Sequence, residues 1–120
     1  VLKARDSLCV FGSEEEVLAL KPNMAKVAAL DCFAVIVTAP GKDCDFVSRF
    51  FAPAKGVDED PVTGSAHCTL IPYWAERLGR TSFSALQASE RTGVLDCRLE
   101  GNRVVLGGQC RTVIVGQFQL

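Results

Sequence analysis

The chain has 120 residues, enough for one domain whose core buries roughly two-thirds of the unfolded surface with no disulfide or metal to hold it. Hydrophobic residues at 48% and charged residues at 22% exclude disorder, and 13 Lys and Arg against 14 Asp and Glu leave a net charge of -1, which offers nucleic acid and anionic lipid no general attraction. The longest apolar run, residues 32–39, is strand-sized rather than the ~20 residues of a membrane span, and the first six residues lack the basic start and apolar run of a signal peptide.

Residues 7–11 read as a short strand ended by Gly12. Ser13 before Glu14, Glu15 and Glu16 is a helix start, a capping hydroxyl followed by carboxylates in the electropositive first turn. Val17, Leu18 and Leu20 give that helix an apolar side, Pro22 interrupts it, and residues 23–30 form a second short helix. Residues 33–38 (Phe-Ala-Val-Ile-Val-Thr) are the strongest strand, β-branched and apolar on both faces. A Pro-Gly turn leads to a second strand over 45–51. A helix over 66–78 carries Ile71, Trp74, Ala75 and Leu78 at helical spacing, with a distortion expected at Pro72 and a C-cap at Gly79. Strands follow over 83–89, 93–99, 103–106 and 111–115, with a tight turn at Glu100-Gly101-Asn102. Two helices, a hairpin, one longer helix and a run of antiparallel strands define an α+β domain spanning residues 1–120.

Six cysteines at 9, 32, 44, 68, 97 and 110 contain no Cys-x-x-Cys pair, so a zinc ribbon or thioredoxin-type redox site is not expected. Their apolar settings predict reduced thiols in a cytoplasmic protein. His67 is the only histidine, which argues against a metal centre built from imidazoles.

The stretch 52–67 differs from the rest: Ala-Pro-Ala-Lys-Gly-Val-Asp-Glu-Asp-Pro-Val-Thr-Gly-Ser-Ala-His, a loop delivered by a strand and ended by a helix. Thr63, Gly64, Ser65 and Ala66 fall at the helix start, where backbone N–H groups lack helical partners and the dipole is positive. Gly64 lets a ligand approach the backbone closely, as binding of a carboxylate or phosphate requires. Asp60, four residues earlier and stiffened by Pro61, is placed to act as general acid or base on a docked anion. On spacing alone, ordinary turn and N-cap chemistry is the stronger account of the same residues. The stretch is neither a Walker loop nor a Gly-x-Ser-x-Gly elbow.

Three blocks carry a family resemblance: Asp45 to Pro53; Gly56-Val57-Asp58-Glu59-Asp60-Pro61-Val62-Thr63-Gly64-Ser65-Ala66-His67-Cys68; and Pro72-Tyr73-Trp74-Ala75. Together they resemble the PhzF-like isomerases of phenazine biosynthesis. The stretch from Gln87 to Gly93 is similar to that family's Gln-x-Ser-x-Arg-Gly-Gly motif, with Thr92 in place of the first Gly. The resemblance implies a diaminopimelate epimerase-like domain, a mixed, mostly antiparallel sheet wrapped around a central helix, corresponding to the C-terminal half of the family's chains. It further implies cofactor-independent isomerisation of a small carboxylate by proton abstraction and return, with neither metal nor cofactor. By position, it makes Asp60 and Ser65 catalytic and Asp60, Thr63, Gly64, Ser65 and Ala66 substrate-binding. The epimerase relatives use a pair of thiols, and Thr63 stands near where one would be, so Cys68 is expected to face the core.

The family's catalytic Glu and cleft His belong to its first half, so activity is expected only when that half is supplied, by a separate chain or by a second copy in a homodimer. The alternative is a non-catalytic binding or dimerisation module. In either case the expected partners are a small carboxylate and another polypeptide, not nucleic acid or membrane. The apolar end of the chain, residues 113–120, suggests strand exchange with a second copy.

Overall fold

In the computed structural model, residues 1–3 and 5–119 are described. The strands β1 (Leu2–Lys3), β2 (Ser7–Val10), β3 (Val35–Pro40), β4 (Phe46–Phe51), β5 (Ser82–Gln87), β6 (Gly93–Glu100) and β7 (Arg103–Gly107) form a seven-stranded sheet in sequence order. Neighbours pair antiparallel except β2 with β3 and β4 with β5, which are parallel and therefore need crossovers. The first crossover holds α1 (Glu14–Ala19) and α2 (Met24–Ala28); the second holds α3 (Gly64–Leu78). Both advance the same way across the sheet, but along strands of opposite direction, so a common hand of connection puts their helices on opposite faces.

The alternation along β3 and β4 matches this arrangement. Ile36, Phe46 and Phe50 face α3 and pack with Ala66, Leu70, Ile71 and Trp74, whereas Val35, Val37, Val47 and Phe51 face α1 and α2 with Val17. Burial on both faces is why β3 is an almost unbroken run of apolar residues. Trp74 stacks on Phe46 at 5.5 Å between ring centroids, and its indole N–H donates to Thr38 Oγ1 at 3.1 Å. Thr38 in turn donates to the Val47 carbonyl at 2.7 Å, so the Trp74 indole and the Thr38 hydroxyl are both paired inside this core, whereas Ser48 Oγ and His67 Nε2 are buried with no partner among the described residues.

The α1 terminus forms the expected cap in full: Glu16 N–H donates to Ser13 Oγ, and the Glu16 carboxylate accepts from Ser13 N–H. Asn23 caps α2. Helix α3 begins at Gly64, two residues before the expected start, and runs continuously through Pro72 to a left-handed Gly79 C-cap. Pro72 is exposed, where the Cys68 carbonyl that lacks its N–H partner can meet solvent. The β6–β7 hairpin turns at Gly101-Asn102, with φ +57° at Gly101.

Two expectations fail. Residues 111–115 form no strand: the β-branched composition is right, but the segment pairs with no strand of the sheet, and Val113, Ile114 and Val115 stand exposed. Leu120, the end of that apolar segment, lies outside the described residues. Cys68 does not face the core. The buried stripe of α3 runs through His67, Leu70, Ile71 and Trp74, and the ~100° step from His67 turns Cys68 to the surface. Among the described residues, no helix is long and apolar enough to cross a membrane.

Candidate functional site

The loop from Asp58 to Thr63 is held at Glu59, Asp60, Pro61 and Thr63 before it enters α3. Arg49 on β4 binds Glu59 through two parallel bonds, Nε to Oε1 at 2.7 Å and Nη2 to Oε2 at 2.9 Å. The same guanidinium donates through Nη1 to the carbonyls of Val17 and Leu20 at the end of α1, so it ties the loop to the opposite layer. Asp60 N–H donates to the Phe50 carbonyl at 3.0 Å. From β5, Gln87 Nε2 donates to the Asp60 carbonyl at 2.7 Å and Gln87 Oε1 accepts from Thr63 N–H at 2.7 Å. Ser89 Oγ donates to the Pro61 carbonyl at 2.8 Å.

This frame presents a half-buried Asp60 carboxylate beside the start of α3. Its Oδ2 accepts a short bond from Thr63 Oγ1, while Oδ1 accepts no bond from the described residues. Thr63 is the N-cap residue with an extended backbone, yet its hydroxyl makes no capping bond. The N–H groups of Gly64, Ser65 and Ala66, the first turn of a 15-residue helix, are therefore left uncapped next to a fixed carboxylate. Gly64 and Ser65 are exposed and Ala66 is buried in the core. Gly64, but not Ser65, Ala66 or Asp60, lines an open groove together with Val62, Arg91, Gly93, Asp96, Leu106 and Gly107.

Each residue singled out in the sequence has a distinct place here. Asp60, Gly64 and Ser65 lie together at the mouth of α3. Ala66 contributes its backbone, its methyl being packed in the core. All the polar groups of Thr63 are engaged internally: N–H with Gln87, hydroxyl with Asp60 and Gln87, carbonyl with His67 Nδ1 at 2.8 Å. His67 is fully buried, and burial holds its pKa below the ordinary 6.5. The neutral ring donates from Nδ1, and Nε2 has no partner among the described residues. Sequence reasoning missed the roles of Arg49 and Gln87. Gln87 stood in a recognised motif, but its partners are 24 and 27 residues away.

At the end of the same motif, Thr92 is the one non-glycine residue with positive φ (+56°) among the described residues, at the position where the family pattern has glycine. Next to it, a Cβ on Gly93 would stand 2.2 Å from Val62 Cγ2, so glycine there lets β6 pass under the loop. The cysteines are free, Cys97 buried and Cys68 and Cys110 exposed. Among the described residues, no three His, Cys, Asp or Glu side chains are grouped to hold a metal ion.

A seven-stranded sheet with helices on both faces, one of them starting uncapped beside a carboxylate, defines an α+β domain. Residues 4–116 match the family described as phenazine biosynthesis-like protein. An uncharacterized isomerase of Pseudomonas aeruginosa is 57% identical over all of this chain and 46% of its own length; a second from the same organism is 48% identical with the same coverage. The crystal structure of a PhzF-family phenazine biosynthesis protein from Enterococcus faecalis superimposes with a TM-score of 0.86 at 49% identity, over 88% of this chain and 41% of that one. A putative PhzC/PhzF protein from Clostridium difficile gives 0.79 at 43% identity, over 93% and 46%. The chain belongs to the phenazine biosynthesis-like (PhzF) family and spans about half the length of the curated relatives it matches.

Proposed function

We propose that this domain forms one wall of the active site of a cofactor-independent, cytoplasmic isomerase acting on a small carboxylate. The observation that carries the reading is Thr63: its hydroxyl is directed to Asp60 instead of capping α3, which leaves a carboxylate and three uncapped N–H groups side by side. The substrate carboxylate docks on the N–H groups of Gly64, Ser65 and Ala66, with the exposed Ser65 hydroxyl as a further donor. Asp60 Oδ1, which accepts no bond from the described residues, exchanges a proton with the substrate carbon skeleton. In such a shift a C–H bond breaks, its electron pair moves into the adjoining unsaturated system, and a proton returns at another carbon, with no net oxidation. One carboxylate serves one end of that transfer. The second acid–base group comes from the opposite wall, contributed by the part of the relatives' length that this chain does not span.

The test supplies that wall. This chain is mixed with the first half of the 57%-identical Pseudomonas aeruginosa relative, and a dihydro-hydroxyanthranilate, the small carboxylate that the resemblance to the phenazine-biosynthesis isomerases implies, is followed by proton NMR in D2O. Deuterium should enter substrate carbon in the mixture, not with either part alone, and not when the chain carries Asp60→Asn. Equal incorporation with Asp60→Asn overturns the reading.

A second reading, a binding or dimerisation module without catalysis, is favoured by the C-terminal segment. Residues 108–119 join no strand, and Val113, Ile114, Val115 and Phe118 are 86–89% exposed. Surface of that kind invites a second polypeptide, and a homodimer satisfies it with one gene product.

A further inference from the structure

We infer that Gln87 is the positioning residue of this site, and that its specific task is to withhold the Thr63 hydroxyl from capping α3. The inference deepens the proposed function and rests on that reading for its consequence, but its geometric content stands on contacts of its own. Gln87 is fully buried at the end of β5, with Ser48 opposite it on β4. Its amide makes three bonds to the loop: Oε1 accepts from Thr63 N–H at 2.7 Å, and Nε2 donates to the Asp60 carbonyl at 2.7 Å and to Thr63 Oγ1 at 3.1 Å. The orientation of the amide is set by these partners, since the reversed amide would point a donor at an N–H and an acceptor at a carbonyl.

The consequence lies in where these bonds hold the hydroxyl oxygen. Gln87 Nε2 occupies a lone pair of Thr63 Oγ1, and the remaining hydrogen is directed to Asp60 Oδ2. Thr63 is otherwise an ordinary N-cap, with extended backbone at φ -116° and ψ 99° and a side chain whose preferred act is to accept from the second or third helical N–H. Here those groups belong to Ser65 and Ala66. Held by Gln87 on one side and Asp60 on the other, the hydroxyl does not turn to them, and the helix start is kept open to an external anion. A glutamate cannot make the donation when ionised, and an apolar side chain can make neither bond. Only an amide of this length both accepts from Thr63 N–H and donates to its hydroxyl.

The experiment uses the full 120-residue chain, labelled with 15N, as wild type, Gln87→Leu, Gln87→Glu and Gln87→Leu with Thr63→Ala. The first readout is amide exchange without ligand. Exchange at Ser65 or Ala66 should slow about 10-fold in Gln87→Leu as the freed hydroxyl caps the helix, and should return to the wild-type rate when Thr63→Ala is added. The second readout is benzoate affinity at the same amides, which should fall about 10-fold in Gln87→Leu and recover in the double variant. A residue that merely supports the fold gives no such rescue by removal of a second side chain. Should Gln87→Leu not fold, Gln87→Glu keeps the volume and gives the same exchange result at pH 7. Unchanged exchange at both amides in a folded Gln87 variant overturns the inference. Wild-type failure to bind benzoate, with the exchange pattern as expected, overturns the proposed function and leaves the positioning role standing.

Discussion

Replacing Gly64 with alanine separates the fold of this domain from its proposed use. Gly64 opens α3, and the glycines with positive φ among the described residues are Gly56, Gly79 and Gly101, so an L side chain meets no backbone penalty there. An added Cβ would find only Leu106 Cδ1 at 3.5 Å, an ordinary van der Waals contact. The substitution therefore mainly restricts the unfolded chain and stabilises by about 0.4–1 kcal/mol. For a chain of this size that corresponds to a rise of about 1–5 °C in Tm. The methyl group also stands out from the backbone where an anion must come to ~3 Å of the N–H groups, and affinity for benzoate should fall at least about 10-fold, or ~1.4 kcal/mol. Thermal melts by circular dichroism and a benzoate titration followed by NMR read the two effects independently. A variant that melts lower than wild type refutes the steric account of Gly64. One that binds benzoate as tightly as wild type refutes the role of close backbone approach.

Three further outcomes follow from the same geometry. Thr92→Gly should stabilise by about 0.5–1 kcal/mol in urea melts, because a β-branched residue in the left-handed region costs ~1–2 kcal/mol and glycine returns part of that as unfolded entropy. The backbone bonds from Thr92 N–H to Ser89 O and Oγ, both 3.1 Å, are unaffected by the change, so a loss of stability would contradict the account. His67 is held neutral by burial, while in the unfolded chain it protonates as pH falls below about 6.5. Its contribution is thus complete above that pH and is lost below it, by up to about 1.4 kcal/mol per pH unit, until the folded histidine protonates. Urea melts from pH 7 to 5 should show this slope in wild type and not in His67→Gln; equal slopes would rule it out. Sedimentation equilibrium at micromolar concentration should give twice the 12.9 kDa of one chain, and truncation after Thr112 should weaken that dimer; a monomer mass for the intact chain excludes it.

The parts of the fold legible in the sequence are those decided over short range. The helix cap at Ser13, the hairpin at Gly101 and the Gly79 C-cap each depend on residues within one turn of each other. The double-sided burial of β3 was visible in its unbroken apolar run, and the α3 core stripe in the spacing of Ile71 and Trp74. What escaped was decided by distant partners. Residues 111–115 have strand composition, yet they pair with neither edge of the sheet. Alternation along β4 placed Arg49 on one face, but its grip on Glu59 and on the α1 carbonyls spans two layers of the fold. The placement of Asp60, Gly64 and Ser65 around a helix start was legible in the loop itself. That Thr63 turns inward was not, because Gln87, 24 residues on, directs it.

The central claim is that the start of α3 receives a carboxylate beside Asp60, and titration of the 15N-labelled chain with benzoate tests it most directly. The account predicts that the largest amide shifts fall on Gly64, Ser65 and Ala66, saturate together, and are lost in Gly64→Ala. Largest shifts at the Gly101 hairpin, or none that saturate, would contradict it.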